Sequence, residues 1–134
     1  MQAVRSGTAT ALPAPSTADE AASLAAFFRI ADAWQLTTDE QMKLLGSPPR
    51  STFFKMKKEG GQLTRDQVER VSHLLNIYKC LRILYTDQAL ADTWVKKTND
   101  ASIFGGKSAL DFMMREGFVT DIYQVRRFLD AQRG

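Results

Sequence analysis

Residues 36–61 read Leu36-Thr37-Thr38-Asp39-Glu40-Gln41-Met42-Lys43-Leu44-Leu45-Gly46-Ser47-Pro48-Pro49-Arg50-Ser51-Thr52-Phe53-Phe54-Lys55-Met56-Lys57-Lys58-Glu59-Gly60-Gly61. The stretch opens on a capping-box pattern, in which Thr38 accepts from the amide of Gln41 and the Gln41 side chain reaches back. Met42, Leu44 and Leu45 supply the apolar side of a short helix, and Gly46 sits where that helix must stop. Pro48 and Pro49 each disfavour helix at the residue before them. A second helix is predicted over 49–58, with Phe53 and Met56 three apart and facing inward, and Gly60-Gly61 ends it. Two short helices joined by a Gly-containing turn, the second small-polar and basic, follow the grammar of a helix-turn-helix.

The charge of this stretch points the same way. Residues 43–58 hold Lys43, Arg50, Lys55, Lys57 and Lys58 and no acid, although the whole chain carries a net charge of only +3. Clustered cations on one element are the footprint of phosphate binding. With Phe53 and Met56 inward, Arg50, Ser51, Thr52 and Lys55 are presented outward at the start of the second helix. There they reach base edges and phosphates in a major groove. Arg50 is the candidate base reader, and Lys57 and Lys58 are candidate phosphate clamps. Taken alone, the pattern describes a solvated helix end equally well, because cations near a C-terminus favour the helix dipole.

Outward from this centre the pattern stays helical. Leu24, Phe27, Phe28, Ala31 and Trp34 recur at three- and four-residue steps and predict a helix beginning near Ala21. Thr64-Arg65-Asp66-Gln67 is a second capping box. It opens a long helix with two apolar stripes, Val68, Val71, Leu75 and Tyr78, and Leu74, Ile77, Leu81 and Leu84. A helix apolar on so much of its circumference is packed on more than one side, as a spine between two halves or as a dimer element. Asp87 caps a helix through Lys97, Asn99 to Lys107 is turn-rich, Ser108 with Asp111 starts another helix, and Asp121 to Gln132 is the last. No segment alternates with period two, so the chain is predicted all-α. The expected organisation is a disordered tail over 1–20, a helix-turn-helix domain over 21–86 and a small helical domain over 87–134.

Composition narrows the function. The chain has 134 residues, one cysteine and one histidine. Cys80 alone cannot form an intramolecular disulfide or a multi-Cys zinc site. His73 alone argues against His-dependent hydrolysis and His-rich metal sites, so neither a catalytic residue nor a cofactor is expected. No run approaches the ~18 apolar residues of a membrane span. Met1 to Glu20 has no apolar core of a signal peptide, so a cytoplasmic location is expected.

The C-terminal third supplies a further set: Trp94, Asn99, Phe104-Gly105-Gly106-Lys107, and Val125-Arg126-Arg127-Phe128-Leu129-Asp130-Ala131-Gln132-Arg133-Gly134. With Leu44-Leu45-Gly46, Arg50-Ser51-Thr52, Leu63 and Glu69-Arg70, these make residues 34–134 resemble the Xre-type antitoxins of the Xre/MbcA/ParS group, the partners of RES-domain toxins. Met56, where an aromatic is more usual, and the Pro48-Pro49 pair depart from that pattern. The resemblance implies an N-terminal Xre-like helix-turn-helix bundle that binds, as a homodimer, the operator of its own toxin–antitoxin operon. It implies a C-terminal domain that binds the RES toxin, an NAD-consuming enzyme, and covers the toxin's NAD cleft. Asn99, Phe104, Gly105, Gly106, Lys107, Arg126, Leu129, Arg133 and Gly134 are the expected toxin-binding residues. The alternative is a stand-alone repressor whose C-terminal domain serves dimerisation.

Overall fold

A computed structural model of the chain describes residues 17–134. Among them there are seven α-helices and no β-strand: α1 (Thr17–Ala33), α2 (Thr38–Leu44), α3 (Arg50–Glu59), α4 (Arg65–Leu84), α5 (Gln88–Thr93), α6 (Ala109–Met114) and α7 (Val119–Arg133). Most of the expected tail, residues 1–16, lies outside the described residues. Its last four residues are instead the start of α1, which begins at Thr17 rather than near Ala21. The Glu20 carboxylate accepts from the Leu63 amide at 3.3 Å, a bond between segments far apart in sequence.

Local chemistry fixes where the helices begin. At α2 the capping residue is Thr37, not Thr38. Its hydroxyl accepts from the Glu40 amide at 3.1 Å and the Glu40 carboxylate accepts from the Thr37 amide at 2.8 Å. Gln41 cannot play that part. Its side chain is buried and donates to the Leu36 carbonyl at 2.9 Å. The Thr64–Gln67 box at α4 forms as expected, at 3.1 and 3.0 Å. Asp87 caps α5 and Ser108 caps α6. Each such cap is worth about 1 kcal/mol. The helix expected through Lys97 is α-helical only to Thr93 and tightens to a 3-10 turn over Trp94–Lys96.

α4 is the spine. It packs against α1 on one side and α7 on the other, and α6 touches both α7 and α2. Val71, Leu74, Ile77, Cys80 and Leu81 are all at most 1% exposed, which is why both stripes of this helix are apolar. Leu24, Phe27, Ile30 and Ala31 of α1, Trp34 just after it, and Ile122, Val125 and Leu129 of α7 share this core. Residues 85–87 separate α4 from α5. The apolar core nevertheless runs without interruption from Leu24 to Leu129, so the two halves share one interior through α4.

Arg70 ties the halves together. Its side chain is buried; Nε lies 2.7 Å from Asp66 Oδ2, and Nη2 donates to the Gly117 carbonyl at 2.5 Å. The turn after α2 closes onto this guanidinium. Gly46 has φ +83°, and a Cβ there would lie 3.1 Å from both Arg70 Nε and Asp66 Oδ2. Glycine is needed at this position on both counts.

Candidate functional site

Two surfaces emerge at opposite ends of the spine. The first is α3. Leu45 to Pro49 join it to α2, Pro49 is its N-cap, and Phe53 (0% exposed) and Met56 (6%) seat it on the core as the spacing predicts. Arg50, Ser51, Thr52, Lys55, Lys57 and Lys58 are all exposed. So is Lys43 at the end of α2. Among the described residues, Arg50 alone of the five cations of residues 43–58 has an acidic partner, Asp39 Oδ1 at 3.6 Å. The others stand as uncompensated positive charge. Thr52 and Lys55 also line a cleft of about 470 Å³ with Gly46, Pro49, Gly60, Gly61, Gln62 and Thr64, between α3 and the start of α4.

Phe54 belongs to this surface and was absent from the sequence expectation. It is 43% exposed, with the Arg50 guanidinium 5.3 Å from its ring centre and the Phe53 ring edge-on at 5.4 Å. The signal for it lay in the helix itself. With Phe53 and Met56 inward, residue 54 is turned about 100° away from 53 and must face out.

The second surface is built by α7 and the segment from Trp94 to Lys107. Asn99 closes this segment: its Oδ1 accepts from the Ala101 amide at 2.9 Å and its amide donates to the Lys107 carbonyl at 3.1 Å. Phe104 is not on the surface. It is 3% exposed and packs against Trp94, Phe112 and Phe128 with ring centres 6.1, 5.7 and 5.3 Å away. It anchors the loop from beneath, while Gly105, Gly106 and Lys107 are exposed and both glycines have positive φ. Leu129 is likewise interior, at 1% exposure. Neither side chain meets a partner directly without the core opening.

The arginines of α7 divide by partner. Arg126 Nη1 donates to His73 Nδ1 at 3.0 Å, and its Nε lies 3.8 Å from Asp130 Oδ2. A guanidinium only donates, so His73 Nδ1 is the acceptor and its Nε2 faces Glu69 Oε2 at 3.5 Å. His73 is buried where α4 meets α7. Arg133 Nη1 reaches Cys80 Sγ at 3.7 Å, and the Cys80 thiol donates to Asp130 Oδ1 at 3.1 Å. Burial, then the Asp130 carboxylate, pushes the Cys80 thiol above its ordinary pKa of 9.0. Arg127, Ala131, Gln132, Arg133 and Gly134 are exposed, and Gln132 helps line a depression of about 370 Å³ with Leu84, Tyr85, Trp94, Asn99, Phe128 and Leu129.

The comparisons with known proteins cover the chain in two parts. Residues 13–76 match the model of the antitoxin Xre-like helix-turn-helix domain, and residues 80–134 match that of the antitoxin Xre/MbcA/ParS C-terminal toxin-binding domain. The chain belongs to the Xre-type antitoxins. The two matches meet inside α4, the helix that both halves use. The chain is also 58% identical over 122 residues to the uncharacterized protein y4oB of Sinorhizobium fredii (strain NBRC 101917 / NGR234), covering 91% of this chain and 92% of that one. No solved structure matches. As an antitoxin it has a helix-turn-helix half carrying α3 and a toxin-binding half carrying α7. Among the described residues no helix is long and apolar enough to cross a membrane, and no cluster of His, Cys, Asp and Glu could hold a metal.

Proposed function

We propose that this antitoxin neutralises a RES-domain, NAD-consuming toxin by covering its active site, and represses its own operon as a homodimer through α3. The chain acts by occupying surfaces and makes no bonds of its own. The observation that carries this reading is the exposed last turn of α7 beside a depression in the C-terminal half. Gln132, in the last turn of α7, lines the depression beside Trp94 and Phe128, and Arg127 is exposed on the same helix. The Arg127 guanidinium offers planar donors suited to carboxylates on a partner. The half-buried, stacked rings of Trp94 and Phe128 offer an aromatic anchor of the kind that dominates protein interfaces.

On the DNA side, Arg50, Ser51 and Thr52 stand at the first turn of α3 to meet bases, and Lys55, Lys57 and Lys58 to meet phosphates. Asn99, Gly105, Gly106 and Lys107 form the rim of the toxin-binding face. Arg126, Arg133, Phe104 and Leu129 hold that face in shape from α7 and from the core. Co-expression with the toxin gene beside it tests the reading. A stable complex that preserves cellular NAD and shifts the upstream DNA supports it. A chain that shifts the DNA but leaves NAD unprotected against every co-encoded protein is a stand-alone repressor instead.

A further inference from the structure

Phe54 is out of keeping with the rest of α3. The other outward positions of that helix are polar or charged, yet this phenylalanine stands 43% exposed at its centre. Folding does not require it there, because Phe53 and Met56 already fill the inward face. One turn earlier, the Arg50 guanidinium lies 5.3 Å from the ring centre. Asp39 Oδ1, 3.6 Å away, holds it from the other side. A planar fork of donors and a flat apolar ring are thus presented side by side.

The surroundings decide what covers this pair. Lys43, Lys55, Lys57 and Lys58 all lie exposed on the same element or the one before it. Two copies of this face brought together would juxtapose like charges, whereas a polyanion complements them. The thymine 5-methyl is the apolar group on the major-groove edge of a base pair, and guanine O6 and N7 match an arginine fork.

We propose that Arg50 and Phe54 form a two-part reader, with the Phe54 ring receiving a thymine 5-methyl group while Arg50 donates to a nearby guanine. Four residues of helix advance ~6 Å and a base step is ~3.4 Å. The thymine therefore lies within about two base pairs of the guanine. The inference rests on the DNA-binding reading above and gives it a base-level content.

The test uses the full chain and duplexes from the region upstream of its own gene, synthesised with thymine or with uracil, which pairs identically but lacks the methyl. Wild-type protein is expected to bind the thymine duplex more tightly, by about four-fold for each methyl it covers, the effect of burying one such group. Phe54→Ala should lose that preference while keeping its salt dependence and its Tm, and Phe54→Leu should keep part of it. Equal binding of both duplexes by wild type, or a preference that survives in Phe54→Ala, overturns the reader while leaving DNA binding standing. A change of oligomeric state in Phe54→Ala, with both duplexes weakened alike, also overturns it and assigns the ring to an interface between copies. If the chain binds neither duplex, the DNA-binding reading itself falls.

Discussion

The two ends of α4 handle positive charge in opposite ways. On α3, Lys55, Lys57 and Lys58 stand without acidic partners among the described residues. On α7, Arg126 is half-buried and tied to His73 and Asp130, and the exposed Arg133 reaches back to Cys80. The same residue types therefore do different work. Unpaired cations on a seated helix make a field for a polyanion. Paired arginines between packed helices fix the shape of a protein-binding face. Charge count and partner geometry separate the two in the same direction: α3 and its approach carry five cations and no acid over residues 43–58, whereas α7 carries its own aspartates.

Disrupting the shape of the toxin-binding half gives the largest effect. Phe104→Ala removes the ring that Trp94, Phe112 and Phe128 surround and should cost about 3–5 kcal/mol in denaturant unfolding. Toxin binding should fall with it. A loss below about 1 kcal/mol would mean that the cluster does not hold the loop.

The contrasting experiment leaves the fold alone. Replacing Lys55, Lys57 and Lys58 by Ala should leave Tm nearly unchanged, because all three are exposed and without acidic partners. The log–log salt slope of DNA binding should drop by about 0.9 for each phosphate that is no longer neutralised. A slope that does not move would show that these lysines face solvent in the complex.

The smallest effect sharpens the comparison at Cys80. Its pKa is raised in the folded state, so the folded chain holds that proton more tightly than the unfolded one. The resulting stability is fully present below the ordinary value of 9.0 and is lost as pH rises through the folded pKa. Unfolding monitored above pH 9 should show wild type losing stability that Cys80→Ala retains, and native Cys80 should resist alkylation near neutrality. Rapid alkylation of the folded protein would show that α4 and α7 part readily at this point.

Much of the architecture was legible because it is local. Phe53 and Met56 inward, the Thr64–Gln67 box and the Ser108 cap follow from spacings of three and four. The cap of α2 was misplaced because Thr37-Thr38 faces Glu40-Gln41, so both threonines have a suitable partner three residues on. Burial of Gln41 against the Leu36 carbonyl decides between them, and burial is a tertiary fact. The start of α1 depends in the same way on Leu63, far along the chain. In the candidate sites, outward residues of α3 were readable from helix phase. Those of the C-terminal half were not. Beyond the i,i+4 pair of Arg126 with Asp130, Arg126 and Arg133 find partners on α4, about fifty residues earlier, which no pattern within α7 announces. Phe104 and Leu129, prominent in the sequence, support the surface from inside.

That correction also dictates where to cut. Removing residues from Leu129 onward would open the core, whereas Ala131 to Gly134 are exposed. The most direct test is therefore the NAD content of cells expressing the co-encoded toxin together with a chain ending at Asp130, set against the full-length chain. With helicity and Tm of the shortened chain verified, the account predicts that NAD is preserved by the full chain and falls with the shortened one. NAD that stays intact under the shortened chain would contradict the claim that this terminus covers the toxin's active site.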